Sequence, residues 1–331
     1  MKVGIISFAH MHAHSYAIYL QKHPDVQLTA IWDHDEKRGK TAAATYQVDH
    51  YSDLREFLQT DVEAVIVCSE NARHKEHVIA AAKSKKQILC EKPIATEVKD
   101  AEEMIRTCKE EGVILQIAYP VRFAPVMEQV RQLIQSKAIG EVLAINGTNH
   151  GQMPGGWFIE KELSGGGAAT DHIVHVMDLV RWLLKDEGKS VYAELDTRFY
   201  DIDVEDCGIV SLEMESGVIV TIDPSWSRPK TFPTWGDVTM QIVGTKGRLS
   251  VDVFKQHALY YNDQANRVQH LPWAKDMDEG LIADFIQCVQ EGRAPSISGE
   301  DGLRTLEIVK AAYESNRCKQ AVIIDRVTFP E

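Results

Sequence analysis

The sequence predicts a doubly wound parallel α/β domain followed by an α+β domain with an open, mainly antiparallel sheet. Three observations predict it. Before residue 121, short apolar runs without polar alternation recur between longer stretches of helical periodicity, as in parallel strands covered on both faces and joined by crossover helices. Beyond Pro120 the apolar runs are joined by tight glycine turns, the pattern of antiparallel hairpins. The chain of 331 residues also exceeds a single core of ~150 residues, and the change of pattern divides it into domains 1–121 and 122–331.

Taken in order, strands are expected at 3–6, 28–32, 64–67, 88–90 and 113–117, each rich in Val, Ile or Leu. Crossover helices are expected over 13–22, 36–46, 73–84 and 96–111. In the last, Ala101, Met104, Ile105 and Cys108 fall on one face and Gly112 provides a stop. The second half begins with a helix over 126–136 and continues with strands at 142–147, 191–197, 209–214, 218–223 and 238–244. Glu215-Ser216-Gly217 and Thr245-Lys246-Gly247 have the length and glycine content of hairpin connections. Helices over 171–184, 279–290 and 303–315 complete the domain, and the Leu303, Leu306, Val309, Lys310 spacing is helix packing. No internal repeat or low-complexity linker interrupts the chain. An open sheet of this kind predicts a subunit interface and a homo-oligomer, a dimer or tetramer.

Charge and composition exclude several classes of partner. With 36 Lys+Arg against 49 Asp+Glu the formal charge is −13, and most of the acidic excess follows residue 121. Such a surface repels a phosphate polyanion, so no nucleic-acid partner is expected, although a small anion in a local pocket is allowed. Apolar runs such as 64–68 fall far short of the ~18 residues of a membrane helix, so no membrane partner is expected. The N-terminal apolar run is too short for a signal peptide and has no small-residue cleavage site after it. The six cysteines are scattered without a CxxC and read as small buried hydrophobes in a reducing cytosol, not as metal ligands. The expected location is cytoplasmic.

The first βα turn is where a dinucleotide-binding domain carries G-x-G-x-x-G, so that backbone N–H groups reach the pyrophosphate. Those glycine positions are Ser7, Ala9 and His12 here. Ser7 and Ala9 are still small, so the loop Ser7, Phe8, Ala9, His10, Met11 and His12 is the candidate anion site, with Ser7 Oγ as an added donor. Asp33 ends the second strand about 20 residues further on, where a carboxylate bonds the adenosine ribose. That favours NAD, with NADP admitted because Lys37 and Arg38 are close. The competing reading of Asp33 is a helix N-cap. His10, His12 and His14 alternate; on a helix such residues diverge and cannot share one ion, though on a strand they could, and their place at a strand-to-helix turn favours a cofactor-loop role, so no metal site is expected.

Cys90-Glu91-Lys92-Pro93 closes the fourth strand, and with it the chain resembles the Gfo/Idh/MocA oxidoreductases, the group of glucose-fructose oxidoreductase and inositol dehydrogenase. The resemblance spans essentially the whole chain: Ser69-Glu70-Asn71-Ala72-Arg73-His74, Tyr119 to Pro125, Gly156-Trp157, Gly165-Gly166-Gly167, Asp171-x-x-x-His175-x-x-Asp178, Gly244 to Gly247 and Ser298 to Gly302. The chain departs from the family in its glycine-free loop, in Ser69-Glu70 where Thr-Pro is usual, and in Ile173 where glycine is common. The resemblance implies that Lys92, Asp171 and His175 are the catalytic set and that Ser69, Asn71, His74, Glu91 and Lys92 adjoin the cofactor, in an active site between the domains.

The residues are chemically suited to these roles. Oxidising a secondary alcohol moves a hydride to nicotinamide while a base takes the hydroxyl proton. Asp171 and His175 are i and i+4 on one helix, so the carboxylate can orient the imidazole; the competing reading is an N-cap Asp and an ordinary helical histidine. Lys92 follows a strand at the carboxyl edge, where its ammonium can polarise the substrate oxygen or pass its proton, the alternative being a solvated loop lysine. Arg122, His150, Trp157 and His172 are candidate substrate contacts, with Trp226 and Trp235 behind them. The expected activity is an NAD(P)-dependent dehydrogenase or reductase of a sugar, cyclitol or related polyol. Two alternatives are an NAD-retaining glycoside hydrolase or lyase of the same fold, and a catalytically silent sugar or dinucleotide sensor.

Overall fold

A computed structural model of the chain describes residues 1–255, 257–262, 267–272 and 275–329. It divides into two compact units, one of Met1–Pro120, Glu160–Gly165 and Asp278–Leu306, the other of Val121–Ile159, Gly166–Met277 and Glu307–Glu331.

The first unit alternates strand and helix: β1 (Lys2–Ile6), α1 (His12–Lys22), β2 (Gln27–Trp32), α2 (Glu36–Tyr46), β3 (Asp49–Tyr51), α3 (Leu54–Gln59), β4 (Ala64–Val67), α4 (His74–Lys83), β5 (Gln87–Glu91), α5 (Val98–Glu111) and β6 (Leu115–Ala118). The strands form one sheet in the order β3-β2-β1-β4-β5-β6, with every neighbouring pair parallel. The order reverses between β1 and β4, the switch point at which ligands bind in such sheets. All of β4 is buried, as expected of a strand covered on both faces. Local signals set the ends of the helices: Asp35 caps α2 by accepting from Arg38 N, Asp53 caps α3, and Gly112 closes α5 at φ 66°. Of the predicted α5 face, Ala101, Met104 and Cys108 are buried, while Ile105 lies half-exposed.

β3 and α3 were absent from the sequence reading. Asp49-His50-Tyr51 carries no apolar run, and six residues of α3 are too few for helical periodicity to register.

The remaining elements are α6 (Pro125–Gln135), β7 (Val142–His150), α7 (Lys161–Ser164), α8 (Ala168–Leu184), β8 (Gly188–Asp196), β9 (Cys207–Met214), β10 (Ile219–Ser225), β11 (Thr239–Gly244), β12 (Arg248–Asp252), β13 (His257–Asn262), β14 (Arg267–Pro272), α9 (Met277–Glu291), α10 (Gly299–Cys318) and β15 (Val322–Ile323). The second unit's sheet runs β12-β11-β7-β10-β9-β8-β15 and is antiparallel except at β7 and β10. Both predicted hairpins form, β9 to β10 and β11 to β12. Val210, Leu212 and Met214 of β9 and Val220 and Ile222 of β10 are buried on the face that carries α8. On the opposite face Tyr192, Ile209, Ile219 and Val243 are exposed. The short hairpin β13–β14 and the edge strand β15 lay outside the expected elements. Among the described residues no helix is long and apolar enough to cross a membrane.

Candidate active site

The loop from β1 to α1 is built without glycine. Ser7 takes φ 70°, the left-handed conformation a glycine would adopt freely, at a cost of about 1 kcal/mol. Side chains and strand ends then hold the loop. Ser7 N donates to Trp32 O at 2.7 Å and His10 N to Cys68 O at 2.9 Å. Phe8 N donates to Asp33 Oδ2 at 2.7 Å, Ala9 N to Ser7 Oγ at 3.2 Å and His12 N to His10 Nδ1 at 3.2 Å. Ser7 Oγ, expected as an added donor, also accepts, from Ala9 N and from Arg38 Nη2 at 3.2 Å each. Phe8 is buried and stacks on Tyr46, whereas Met11 is exposed.

Asp33 is not an N-cap, because Asp35 holds that position. Its buried carboxylate instead accepts from Phe8 N, from Asp35 N at 3.0 Å, and from Arg38 Nε and Nη2 at 2.7 Å each. Glu70, where the family has proline, lies 3.3 Å from His34 Nε2 and 3.6 Å from Arg38 Nη2. Burial works against its charge, but the His34 hydrogen bond and the Arg38 guanidinium hold its carboxyl down at about 2.

The expectation that the alternating histidines diverge fails for the first two. His10 precedes α1 rather than lying on it, and its ring comes to 4.4 Å from that of His12. With Glu91 they offer ligand atoms within 4.8 Å of one another, so these three residues could hold a metal. The cluster also satisfies itself: Glu91 Oε1 lies 3.0 Å from His12 Nδ1 and accepts from Tyr16 OH at 2.6 Å, while Oε2 accepts from Lys92 N at 3.2 Å. Burial opposes both charges, yet His10 and His12 keep the Glu91 carboxyl well below the usual range and Glu91 holds His12 above its own. His14 turns away to Tyr46 OH at 2.8 Å.

Lys92 follows β5 at the carboxyl edge and is buried, which excludes the solvated-loop reading. The turn that carries it is fixed by His74, whose Nδ1 lies 2.9 Å from Pro93 O and whose Nε2 lies 3.1 Å from Ser69 O. His74 is completely buried, and burial lowers its pKa. It thus ties together the loops after β4 and β5, where the sequence reading had placed a coenzyme contact. Ser69 is likewise buried, with Oγ 2.9 Å from His77 Nδ1, and burial pushes His77 down to about 3. Asn71 donates through Nδ2 to Ser164 O at 2.8 Å. Its Oδ1 is buried without a hydrogen-bond partner among the described residues. An orphaned acceptor beside the switch point fits a ligand that brings its own hydroxyl or amide donors, as a dinucleotide does.

In the second unit the start of α8 is held from outside the helix. Gly167 stands at the N-cap with no side chain, since a Cβ there would run into the Glu205 carbonyl. Glu205 Oε1 accepts from Gly167 N at 2.8 Å, Ala169 N at 3.0 Å and Tyr313 OH at 2.7 Å, and Tyr313 OH also lies 2.8 Å from Thr170 Oγ1. Neither Glu205 nor Tyr313 belongs to a motif, and sequence reasoning missed both. Asp171 is therefore a first-turn residue and not the N-cap. Its Oδ2 accepts from Trp226 Nε1 at 3.2 Å and lies 3.2 Å from His172 Nε2. His175 follows one turn later, and both it and Asp171 are buried. His172 is fully buried, its ring edge-on to Trp235 at 5.4 Å.

Two of the expected substrate contacts, Arg122 and His150, lie in ion pairs. Arg122 donates to Asp178 through Nε at 2.7 Å and Nη2 at 2.6 Å, a buried bidentate pair. His150 lies between Asp223 at 3.1 Å and Asp237 at 3.3 Å; burial opposes its charge, but the two carboxylates raise it to about 9. Each carries its charge in an ion pair of the second unit. Trp226 packs with Ala168 and Val204 in a core cluster. Trp157 is half-exposed and stacks on Phe158 at 3.9 Å.

A doubly wound sheet with a carboxylate closing β2 and an orphaned acceptor at its switch point, followed by an α+β unit whose central helix carries an aspartate and a histidine one turn apart, defines a dinucleotide-dependent oxidoreductase. Residues 1–119 match the model described as "Oxidoreductase family, NAD-binding Rossmann fold" and residues 127–250 match the GFO/IDH/MocA C-terminal domain. The chain belongs to the GFO/IDH/MocA family and is an NAD(P)-dependent oxidoreductase of the sugar and cyclitol type. It is 28% identical to the myo-inositol 2-dehydrogenase of Thermotoga maritima over 99% of each chain. It is 31% identical to the 2,7-anhydro-N-acetylneuraminate hydratase of Escherichia coli over 76% of this chain and 67% of that one. Among solved structures, GenD2 from gentamicin A biosynthesis in complex with NAD superposes with a TM-score of 0.90 at 25% identity, covering 98% of this chain and 97% of that one.

Proposed function

We propose that the protein oxidises a secondary alcohol, or reduces the corresponding ketone, of a sugar, cyclitol or related polyol, with Lys92, Asp171 and His175 as its catalytic residues. The observation that carries this reading is the placement of buried Asp171 and His175 one turn apart on α8, with Asp171 fixed through Trp226 Nε1 at 3.2 Å. When bound, the nicotinamide supplies hydride chemistry to the substrate carbon. The residues that would hold the coenzyme are the Ser7–His12 loop, Asp33, Asn71 and Glu91.

His175 takes the hydroxyl proton in oxidation and returns it in reduction, while Asp171 orients the imidazole and stabilises its cationic form. Lys92 donates a hydrogen bond to the reacting oxygen and so steadies the charge that develops there. Its backbone is fixed by Glu91 Oε2 at 3.2 Å, and its turn by His74. His172 and Trp157 are retained as substrate contacts. Through the exposed face of the second sheet we read a homo-oligomer, and a cytoplasmic location from six cysteines that remain thiols.

A screen of polyols and keto-sugars at 340 nm, with NAD and NADP in parallel, tests the activity. His175→Ala is expected to lower turnover while NADH binding is nearly intact; equal loss of both would exclude His175 as the base. The relationship to a hydratase favours one competing reading, in which oxidation is transient. A product formed without net NADH would establish that reading instead.

A further inference from the structure

Among the described residues, one group of side chains brings metal-ligating atoms close enough together for a single ion: His10, His12 and Glu91, within 4.8 Å of one another. Two imidazoles and a carboxylate suit zinc and its neighbours in the first transition row, whereas Mg²⁺ and Ca²⁺ take oxygen ligands. Bonds of about 2.1 Å set neighbouring ligands of a tetrahedral ion ~3.4 Å apart. Glu91 Oε1 lies 3.0 Å from His12 Nδ1 and 3.8 Å from His10 Nδ1, so the two separations straddle that figure.

The carboxylate is already aimed. Glu91 Oε2 accepts from Lys92 N at 3.2 Å, which turns Oε1 to the histidines, and Tyr16 OH donates to Oε1 at 2.6 Å and lies 3.3 Å from His12 Nδ1. Oε1 has two lone pairs: Tyr16 keeps one, and an ion takes the other, on the side where His12 Nδ1 now lies. Glu91 and Tyr16 are completely buried and His10 nearly so, while the His12 side chain is 26% exposed, so an ion enters past His12. The surrounding charges divide: Lys92 opposes a cation beside His12, and Glu91 and Asp278 favour one. The N-terminal dipole of α1 opposes it as well, and three coordinate bonds outweigh these terms.

What the ion takes from the loop decides what it gives. Nδ1 of His10 now accepts from His12 N at 3.2 Å. Once that lone pair is bound to metal, the His12 N–H, in the first turn of α1 and at the third position of the missing glycine fingerprint, is released to a phosphate oxygen. We propose that His10, His12 and Glu91 bind a zinc-class divalent ion, with Tyr16 orienting the carboxylate, and that the ion readies the loop for the coenzyme's pyrophosphate by freeing His12 N–H. The coupling to coenzyme rests on the reading of the first unit as a dinucleotide-binding domain; the metal site does not.

The experiment is zinc binding to the full chain in competition with a chromophoric chelator, with Co²⁺ as a spectroscopic probe, followed by NADH titration by nicotinamide fluorescence with and without zinc. One ion per chain is expected, with a Kd tighter than about 10 μM and the visible bands of four-coordinate Co²⁺. His12→Gln and Glu91→Gln should each weaken zinc by ~100-fold or more, and Tyr16→Phe by ~10-fold, the scale of an outer-shell partner. His14→Gln, whose ring turns away to Tyr46, should bind zinc as the wild type does. Zinc should tighten NADH several-fold in the wild type and not in His10→Gln. A Kd weaker than about 10 μM, or undiminished affinity in His12→Gln and Glu91→Gln, overturns the site. Zinc that binds as expected yet leaves NADH unchanged or weakens it overturns the coupling. Failure of the wild type to bind NADH with or without zinc overturns the dinucleotide reading, and the zinc titration still decides the site.

Discussion

Removing the Glu205 carboxylate should loosen the start of the catalytic helix. Replacing Glu205 by alanine deletes the acceptor of Gly167 N, Ala169 N and Tyr313 OH together. Loss of an N-cap costs about 0.5–2 kcal/mol, and a buried donor left without a partner costs about 1–3 kcal/mol more. Tyr313 OH keeps Thr170 Oγ1 as a partner at 2.8 Å, so the sum is about 3 kcal/mol and not the full total of the parts. Glutamine behaves differently. Burial raises the Glu205 pKa, so the fold itself disfavours the charge. Glu205→Gln retains the acceptor and should remain within about 1 kcal/mol of wild type. Because the chain folds as two units, the decisive assay is local. Hydrogen exchange at Gly167 and Ala169 should accelerate by ~100-fold in Glu205→Ala and little in Glu205→Gln. Unchanged exchange in the alanine variant, or equal damage from both substitutions, would refute the account.

Two further predictions concern the ion pairs of His150 and Arg122. His150 rises from an ordinary histidine value to about 9, so its contribution to stability is complete below pH ~6.5 and disappears as pH climbs through 9. That contribution is about 2 kcal/mol once solvent screening is allowed for. Melting curves from pH 6 to 9.5 should show the wild type losing several degrees more than His150→Gln, and parallel curves would contradict it. At the Arg122–Asp178 pair, Arg122→Ala strands a buried carboxylate and should cost about 3–5 kcal/mol in urea denaturation, whereas an Arg122→Met, Asp178→Leu double variant should recover most of that. A double variant no better than the single one would show that the pair's worth lies in its charges.

The parallel sheet was readable because its strands are buried on both faces, so that nearly every residue of a run such as Ala64–Val67 must be apolar. The same reasoning made β3 invisible, since Asp49-His50-Tyr51 joins the sheet at its edge through backbone hydrogen bonds and needs no apolar side chains. Asp171 and His175 were legible through their helical spacing. Glu205 and Tyr313 were not: they meet α8 across 36 to 143 positions of sequence, and no local pattern encodes such a meeting. Spacing also failed for His10 and His12, because the alternation rule holds only where both lie on the helix, and α1 begins at His12.

The residue types that mark a site in a sequence are also the ones a fold enlists to satisfy itself. A glycine loop leaves its N–H groups free for phosphate, and here three of those groups are bound by the side chains that replaced the glycines or lie beside them: Phe8 N on Asp33, Ala9 N on Ser7 Oγ and His12 N on His10 Nδ1. The two latter contacts are long, 3.2 Å each, so a charged phosphate oxygen competes for them favourably. The contact at Asp33 is short and charged, and it anchors the loop that the others leave adjustable. A polar loop in place of a glycine loop therefore exchanges a preformed cradle for one that is self-bonded until an anion arrives. On this physical ground the absence of the fingerprint bears on how tightly coenzyme is held, and the sheet that presents it is unaffected.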